Sequence, residues 1–330
     1  MMRELKIGKN DAGQRLDKFI TKTLSLPMSL LYKSIRLKKI KVNRKRAEVS
    51  TMLVEGDTVQ CFLADEFFER GKKHAPSEGC ELSRESLGRI NVRLDIVYED
   101  ENLLLVNKPA GLSVHEDEGS KFNTLIDIIH AYLFEKGEYD PDSEQSFAPA
   151  LCNRIDKNTQ GIVIAAKNAE ALRVMNEKIK LREIDKFYLA LVHGVLEKKE
   201  KTLRGYLLKN EKTNTVKIYT SSPPRGAKEI ITHYRVLSSS RDVSLVEVEL
   251  LTGRTHQIRA HMAHIGHPLV GDGKYGVNRD DRRLGYKHQA LCSYKVRFSF
   301  SGEPCILSYL SGKEFSIPEN RIYFCKNFIN

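Results

Sequence analysis

The sequence predicts an α+β protein: a large domain on a mixed, mostly antiparallel sheet, with a small basic α/β module at the N-terminus. Three observations lead there. Strand-like runs outnumber helical stripes and do not alternate regularly with them, so a doubly wound parallel sheet is not expected. Residues 1–60 hold 14 of the 54 Lys+Arg but only 6 of the 43 Asp+Glu, so most of the net charge of +11 lies in the first fifth of the chain. Residues 64–90 are charged and rich in turn formers, with little to bury, as a linker is. These readings set domain boundaries at 1–63, 64–90 and 91–330 in a chain of 330 residues.

In the N-terminal module, Leu16, Phe19 and Ile20 share one helical face, and Pro27 separates that helix from a second one carrying Leu31 and Ile35. Lys39-Ile40-Lys41-Val42-Asn43 alternates like a short half-buried strand, Asn43-Arg44-Lys45-Arg46 is a basic turn, and residues 54–62 read as a turn and closing strand. A compact basic module implies a polyanionic partner; a merely solubilising face is the plainer alternative. Arg15-Leu16-Asp17-Lys18, Ser34-Ile35-Arg36 and Ile40-Lys41-Val42-Asn43 resemble the S-four-like RNA-binding domain. The resemblance implies binding of structured RNA, read by shape and phosphate contacts. Arg15, Arg36, Lys39, Lys41 and Arg44 are the candidate contacts.

In the large domain, residues 94–98 and 103–107 read as two strands, ended by Lys108-Pro109-Ala110-Gly111. Lys108, beside this turn, is a candidate phosphate contact, against the simpler reading of a surface turn. Thr124 and Asp127 mark a helix start. Asn168 caps a helix with Leu172, Met175 and Ile179 inside; residues 184–194 and 243–250 are strands; and a helix begins near Arg254 with Ile258, Met262 and Ile265 on one stripe. Tyr188 sits early in its strand, as a half-buried residue or a ring for stacking.

Chemistry concentrates in Asn153-Arg154-Ile155-Asp156-Lys157-Asn158-Thr159-Gln160-Gly161, a polar turn feeding the apolar run 162–166. Residues two apart in extended chain share a side, so Arg154 and Asp156 face one cleft. Other signals fail. His256, His261, His264 and His267 lack interleaved carboxylates and any His-Glu-x-x-His pattern, so no metal is expected. Gly271-Asp272-Gly273-Lys274-Tyr275-Gly276 matches a glycine string, but no long apolar strand precedes it, so no dinucleotide site is expected. Six scattered cysteines without a Cys-x-x-Cys pair, a charged N-terminus and no long apolar run point to the reducing cytoplasm and no membrane.

Three stretches together resemble the RluA-type family of RNA pseudouridine synthases. Asn153–Gly161 resembles the catalytic motif, Lys186-Phe187-Tyr188-Leu189-Ala190 the tyrosine motif, and Thr252-Gly253-Arg254-Thr255-His256-Gln257-Ile258-Arg259-Ala260-His261 the third motif. Asn153 stands where the family usually has histidine, and Gln160 where it usually has serine. The resemblance implies isomerisation of uridine to its carbon-linked isomer, with no metal, nucleotide or redox cofactor. It assigns Asp156 as nucleophile, Arg259 as the cation that keeps it charged, and Tyr188 as the ring on the flipped uracil. Arg154 fills the vacated helix, and Arg254 and His256 join the substrate site. A base must leave the stack for this chemistry, at a cost of a few kcal/mol. The expected partner is structured RNA, foremost large-subunit ribosomal RNA, and the protein is expected to act as a monomer. Two rivals remain: an RNA-binding or assembly factor with a decayed site, motivated by Asn153 and Gln160, and an RNA hydrolase using Asp156 with a histidine.

Overall fold

The computed structural model describes residues 2–24, 26–71, 83–115 and 123–325. Its N-terminal part runs β1 (Met2–Lys6), α1 (Leu16–Thr23), α2 (Met28–Arg36), β2 (Ile40–Val42), β3 (Lys45–Arg46) and β4 (Thr58–Phe62). The four strands form an antiparallel sheet in the order β1-β4-β2-β3. Leu16, Phe19, Ile20 and Leu31 are fully buried between the helices and this sheet. At about 1.5–3 kcal/mol each, these side chains hold the module together. The turn between β2 and β3 places Asn43 and Arg44 at positive φ, 49° and 65°, as a two-residue hairpin turn of the mirror-image type demands. Asparagine tolerates this conformation; arginine does so at a cost, offset by a hydrogen bond from Arg44 N to Gln60 Oε1 (2.9 Å).

Helices α3 (Glu66–Gly71) and α4 (Arg84–Leu87) follow. Of the stretch read as a linker, residues 72–82 lie outside the described residues. Its last part belongs to the large domain: Leu87 is 1% exposed in the core around Ile129 and Leu133, and Arg84 pairs with Asp140 and Asp142. One apolar residue anchors this turn, too weak a signal for periodicity to register.

The large domain continues with β5 (Ile96–Glu99), β6 (Leu103–Lys108), α5 (Leu125–Glu135), β7 (Ala150–Leu151), β8 (Gln160–Ala166), α6 (Ala169–Lys180), β9 (Ile184–His193), β10 (Glu200–Asn210), β11 (Thr215–Tyr219), β12 (Lys228–Ser239), β13 (Val243–Leu250), α7 (Gln257–His264), α8 (Arg279–Arg283), β14 (Leu291–Phe298) and β15 (Glu314–Ser316). Eleven strands form one sheet, β11-β10-β12-β13-β9-β14-β8-β6-β5, with β15 on β14 and β7 on β8. Every pairing is antiparallel except β14 with β8. The mixed, mostly antiparallel α+β architecture is thus the one expected, and α5 starts at the Thr124–Asp127 capping box.

Alternate residues of β6 and β8 face opposite cores. Leu103, Leu105, Ile162 and Ile164 pack with Met175 of α6. Leu104, Val106, Val163 and Ala165 pack with Leu125, Ile129 and Leu133 of α5. A sheet covered on both faces explains why 162–166 is continuously apolar. Further along, Ala190, Val192, Val246 and Val248 meet Ile258 and Met262 of α7. The long arm β10–β12 was not read from the sequence.

The N-terminal part touches the large domain through polar contacts. Asp11 accepts from Gln145 Nε2 (2.9 Å) and Ser146 Oγ (2.6 Å), Asn10 donates to Glu144 Oε1 (2.8 Å), and Arg173 donates to Ala12 O (3.0 Å).

Candidate active site

Strand register brings the site together. Tyr188 of β9 lies opposite Ser293 of β14, Ser293 opposite Gly161 of β8, and Gly161 opposite Lys108 of β6. This row crosses four strands at the end where β8 and β14 begin and β6 stops. A bulge between Ser293 and Lys295 breaks the β9–β14 register beside Tyr188, the kind of irregularity that re-aims side chains. Gly161 has φ 133°, and a Cβ there would lie 2.4 Å from Ser293 O. Only glycine lets β14 close so tightly against the turn that carries Asp156.

Asp156 stands on that turn, closed by Thr159 N donating to Asp156 O (2.9 Å). Ile155 is buried (7%) while Arg154 is exposed, the alternation expected of extended chain. Arg259, 7% exposed on α7, donates from Nη1 to Asp156 Oδ2 (2.8 Å). Its other edge forms a two-bond fork on Asp272, Nε to Oδ2 (2.7 Å) and Nη2 to Oδ1 (2.9 Å). Asp272 also accepts from Lys274 N (2.9 Å), so its own position is fixed. Burial pulls the Arg259 pKa down, but the carboxylates of Asp272 and Asp156 outweigh it and raise it. Arg259 is therefore a permanent cation whose planar fork spans two acids. Among the described residues no donor meets Asp156 Oδ1, so one carboxylate oxygen is anchored and the other is open.

His256 precedes α7 at φ 54°. The helix begins at Gln257, three residues later than its polar lead-in implied. The Tyr275 hydroxyl accepts from Val216 N (2.9 Å) and lies 2.8 Å from His256 Nδ1. Nε2 of the same ring lies 3.7 Å from Asp156 Oδ2. Burial pushes His256 down to about 4, with Asp156 opposing, so the ring is neutral at physiological pH. Tyr188 is 7% exposed, and burial pushes its phenol up to about 12. It keeps its proton at neutral pH.

Lys108 is a correction. It is fully buried, and its ammonium donates to the carbonyls of Pro109 (2.9 Å), Leu112 (2.8 Å) and Lys157 (2.9 Å). The turn it was expected to decorate folds over it. Burial pulls its pKa down to about 7 while Asp156 opposes. Three acceptors match the three donors of an ammonium. The side chain thus staples the 109–112 turn to the residue after Asp156 and does not face phosphate. Lys108→Met is expected to destabilise the fold by at least about 2 kcal/mol, since it strands buried acceptors. It should lower kcat and leave KM for RNA nearly unchanged; steady-state kinetics with denaturant unfolding measure both, and a pure KM effect would restore the phosphate role.

The remaining candidates divide by exposure. Arg154, Arg254, Arg36, Lys39 and Arg44 are exposed, and Lys41 is half-buried. Arg15 is exposed on one side but forks onto Asp17 through Nε (3.1 Å) and Nη2 (2.6 Å). The unusual neighbours have structural partners. Asn153 accepts from Ile164 N (2.8 Å) and donates to Ile162 O (3.3 Å), an amide imitating a strand peptide where β7 ends. Gln160 donates to Arg321 O (2.9 Å) and Asn107 Oδ1 (3.3 Å). Neither side chain touches Asp156.

Of the other histidines, His261 is 2% exposed with Nδ1 2.9 Å from Thr232 Oγ1, and burial pushes it down to about 4. Its unfolded value is about 6.5. Between these values the unfolded chain takes up a proton that the folded ring refuses. Stability should therefore be full above pH about 6.5 and fall as pH drops toward about 4. His261→Gln is expected to remove on the order of 3 kcal/mol of that pH-dependent loss. Denaturant unfolding at pH 7 and 4 tests this; parallel pH profiles for both proteins would refute it.

Sequence reasoning missed Asp272 and Tyr275. Both lie in the glycine string set aside as a false dinucleotide signal, and nothing local to that string reveals that its acid faces Arg259.

A sequence model of the RNA pseudouridylate synthase family matches residues 102–264. The ribosomal large subunit pseudouridine synthase C of Vibrio cholerae is 32% identical over 296 residues, covering 88% of this chain and 87% of that one. An uncharacterized RNA pseudouridine synthase of Mycoplasma capricolum is 32% identical over 319 residues, covering 93% and 94%. Among solved structures, human RNA pseudouridylate synthase domain containing 1 superposes with a TM-score of 0.54 at 26% identity, covering 69% of this chain and 84% of that one.

Proposed function

The chain belongs to the RNA pseudouridine synthase family and isomerises uridine in RNA to pseudouridine, and from that premise we propose that Asp156 is its nucleophile and large-subunit ribosomal RNA its substrate. The observation that carries the assignment is the anchored carboxylate: Asp156 Oδ2 is held at 2.8 Å by Arg259, while no donor among the described residues meets Oδ1. In this reading the target uridine turns out of the helix into the space before Asp156. Exposed Arg154 fills the gap it leaves. Asp156 attacks the flipped nucleoside, the carbon–nitrogen link breaks, the base turns and a carbon–carbon link replaces it; the bond to Asp156 is then released, and the proton lost from the uracil carbon is balanced by one taken up at the freed nitrogen. Arg259 supplies a fixed positive charge throughout, which costs no reorganisation at the moment of reaction. Tyr188, keeping its proton, serves as the inner wall against which uracil stacks. Arg254 and His256 flank the entrance beside α7.

Relatives named for the large ribosomal subunit support this substrate, and a cytoplasmic enzyme working as a single chain fits it. Pseudouridine mapping of total RNA with and without this protein tests the proposal. The expected result is one or more large-subunit uridines that convert only in its presence; sites confined to transfer RNA would overturn the substrate.

Residues 1–63 are proposed as the RNA-binding domain, with Arg36, Lys39 and Arg44 on phosphates. Replacing Arg36, Lys39 and Arg44 together by alanine is expected to reduce the slope of log affinity against log salt by about 2–3, at roughly 0.7–0.9 per phosphate contact. An unchanged slope would remove these residues from the interface.

A further inference from the structure

A cavity of about 520 Å³ adjoins the 109–112 turn, outside the residues around Asp156. The turn is shared: Pro109, Ala110 and Leu112 line the cavity, while Gly111 N and Lys108 Nζ hold the Lys157 carbonyl beside Asp156 (each 2.9 Å). The cavity therefore opens at the same end of the sheet as the catalytic turn, one wall away from it.

Its lining has a mixed chemistry. Leu94, Leu112 and Leu125 form an apolar side. Facing them is Tyr323, whose hydroxyl donates to the carbonyls of His288 (3.0 Å) and Gln289 (2.8 Å) and so locks the ring. Asn107 and Gln160 also line it with their amides already engaged, and the Asp95 carboxylate in the lining is neutralised by Arg321 and accepts from Asn107 Nδ2 (2.8 Å). Gln160, where the resemblance expects serine, grips Arg321 O (2.9 Å) and thereby fixes the C-terminal wall. At the mouth stand Arg93 and Lys287, both exposed and neither with a partner among the described residues. Burial, with Lys108 and Lys287 adding repulsion, holds His288 below its ordinary range, so its neutral ring offers one donor and one acceptor.

An apolar slot with a fixed aromatic ring, paired hydrogen-bonding groups and free cations at the rim suits a planar heterocycle carrying a phosphate. The volume falls within the usual range for small-ligand sites, about 300–1,000 Å³. A wholly apolar ligand would leave the rim cations and the His288 ring unused, and a bare phosphate would leave the apolar side wet. We propose that this cavity receives a second nucleotide of the substrate RNA, extruded next to the target uridine, with its base against Tyr323 and its phosphate at Arg93 and Lys287. The proposal rests on the reading of the chain as an enzyme of large-subunit ribosomal RNA. It gives this enzyme a contact that selects the neighbour of the target as well as the target, and stacking of bases on aromatic side chains is a general way in which proteins hold single strands.

Two measurements test it. With transcribed large-subunit ribosomal RNA as substrate, Arg93→Ala/Lys287→Ala is expected to raise KM about tenfold with kcat within about twofold, and to lower the salt slope by about 1. Lys180→Ala/Lys313→Ala removes the same charge elsewhere on the surface and should leave KM nearly unchanged. Equal effects of the two pairs, or a loss confined to kcat, would overturn the proposal. Independently of turnover, the His288 ring signals in the full-length wild-type protein should shift saturably with at least one nucleoside 5′-monophosphate, with a Kd of about 1–10 mM. That response should weaken in the Arg93/Lys287 variant. No saturable shift with any of the four overturns the cavity's role even if the enzyme modifies RNA. A wild-type protein that converts no uridine in ribosomal RNA refutes the underlying reading instead, and the titration still decides the cavity.

Discussion

Asp156→Asn is expected to lower pseudouridine formation by at least about a thousandfold while leaving RNA affinity within about twofold. Asparagine keeps the size and the turn but removes the carboxylate oxygen that attacks. The argument for intact binding and folding is geometric. Arg259 is buried, and a buried cation stripped of its partners destabilises a fold strongly. Here it keeps its two-bond fork on Asp272 (2.7 and 2.9 Å) after Asp156 is neutralised. The melting temperature should therefore hold or rise, since an acid crowded beside another acid has been removed. Tritium release from labelled uridine measures the chemistry, and filter binding measures the affinity. Full activity in this variant would end the nucleophile assignment. In the same assay the wild-type RNA mass should stay unchanged, as an isomerisation requires.

The strands of the central sheet were legible because burial on both faces leaves a strong mark: Ile162 to Ala166 is continuously apolar. The α5 and α6 starts were legible because the cap residues Thr124 and Asn168 are local, and α1 because its apolar stripe is. The arm β10–β12 was not read, although Leu203, Gly205 and Leu207 alternate inward along β10. A glycine at the middle inward position blurs the pattern, and Tyr206 and Leu208 place apolar bulk at outward ones. Strand β1 carries mostly exposed residues and exists through its pairing with β4, which no local rule foresees. The site divides the same way. Asp156 and Arg259 were found through motifs, but their contact spans 103 positions and belongs to the fold alone. Lys108 was misplaced for a related reason: Pro109 and Gly111 announced a turn, but not that the turn closes over the lysine. Asn153 and Gln160 seemed to weaken the catalytic reading, yet each side chain bonds to backbone away from Asp156, so their departures bear on packing.

The fork on Asp272 makes it the support on which the cation depends, and Asp272→Ala is expected to be the most damaging single change in the site. Asp272 is 1% exposed, and its pKa is affected first by burial, which raises it, and then by Arg259, which more than reverses that and holds it below the usual range. Alanine would leave a buried guanidinium with one partner and unpair the amides of Lys274 and Tyr275. Loss of one member of a buried pair costs about 3–5 kcal/mol. Activity should fall as well, because Arg259 loses the two bonds that aim it at Asp156. A structural role alone would predict the stability loss, so the discriminating variant is Asp272→Asn, which keeps the volume and one acceptor. If Asp272 aims the arginine, this variant folds with a smaller stability loss yet has kcat reduced about tenfold to a hundredfold and KM for RNA little changed. Arg259→Lys should behave similarly in kcat, since a point charge cannot span two carboxylates with a fork. Steady-state kinetics beside urea unfolding give both quantities for each variant. A stable Asp272→Asn enzyme with wild-type kcat would show that Arg259 needs no support from Asp272, and that Asp156 alone positions it.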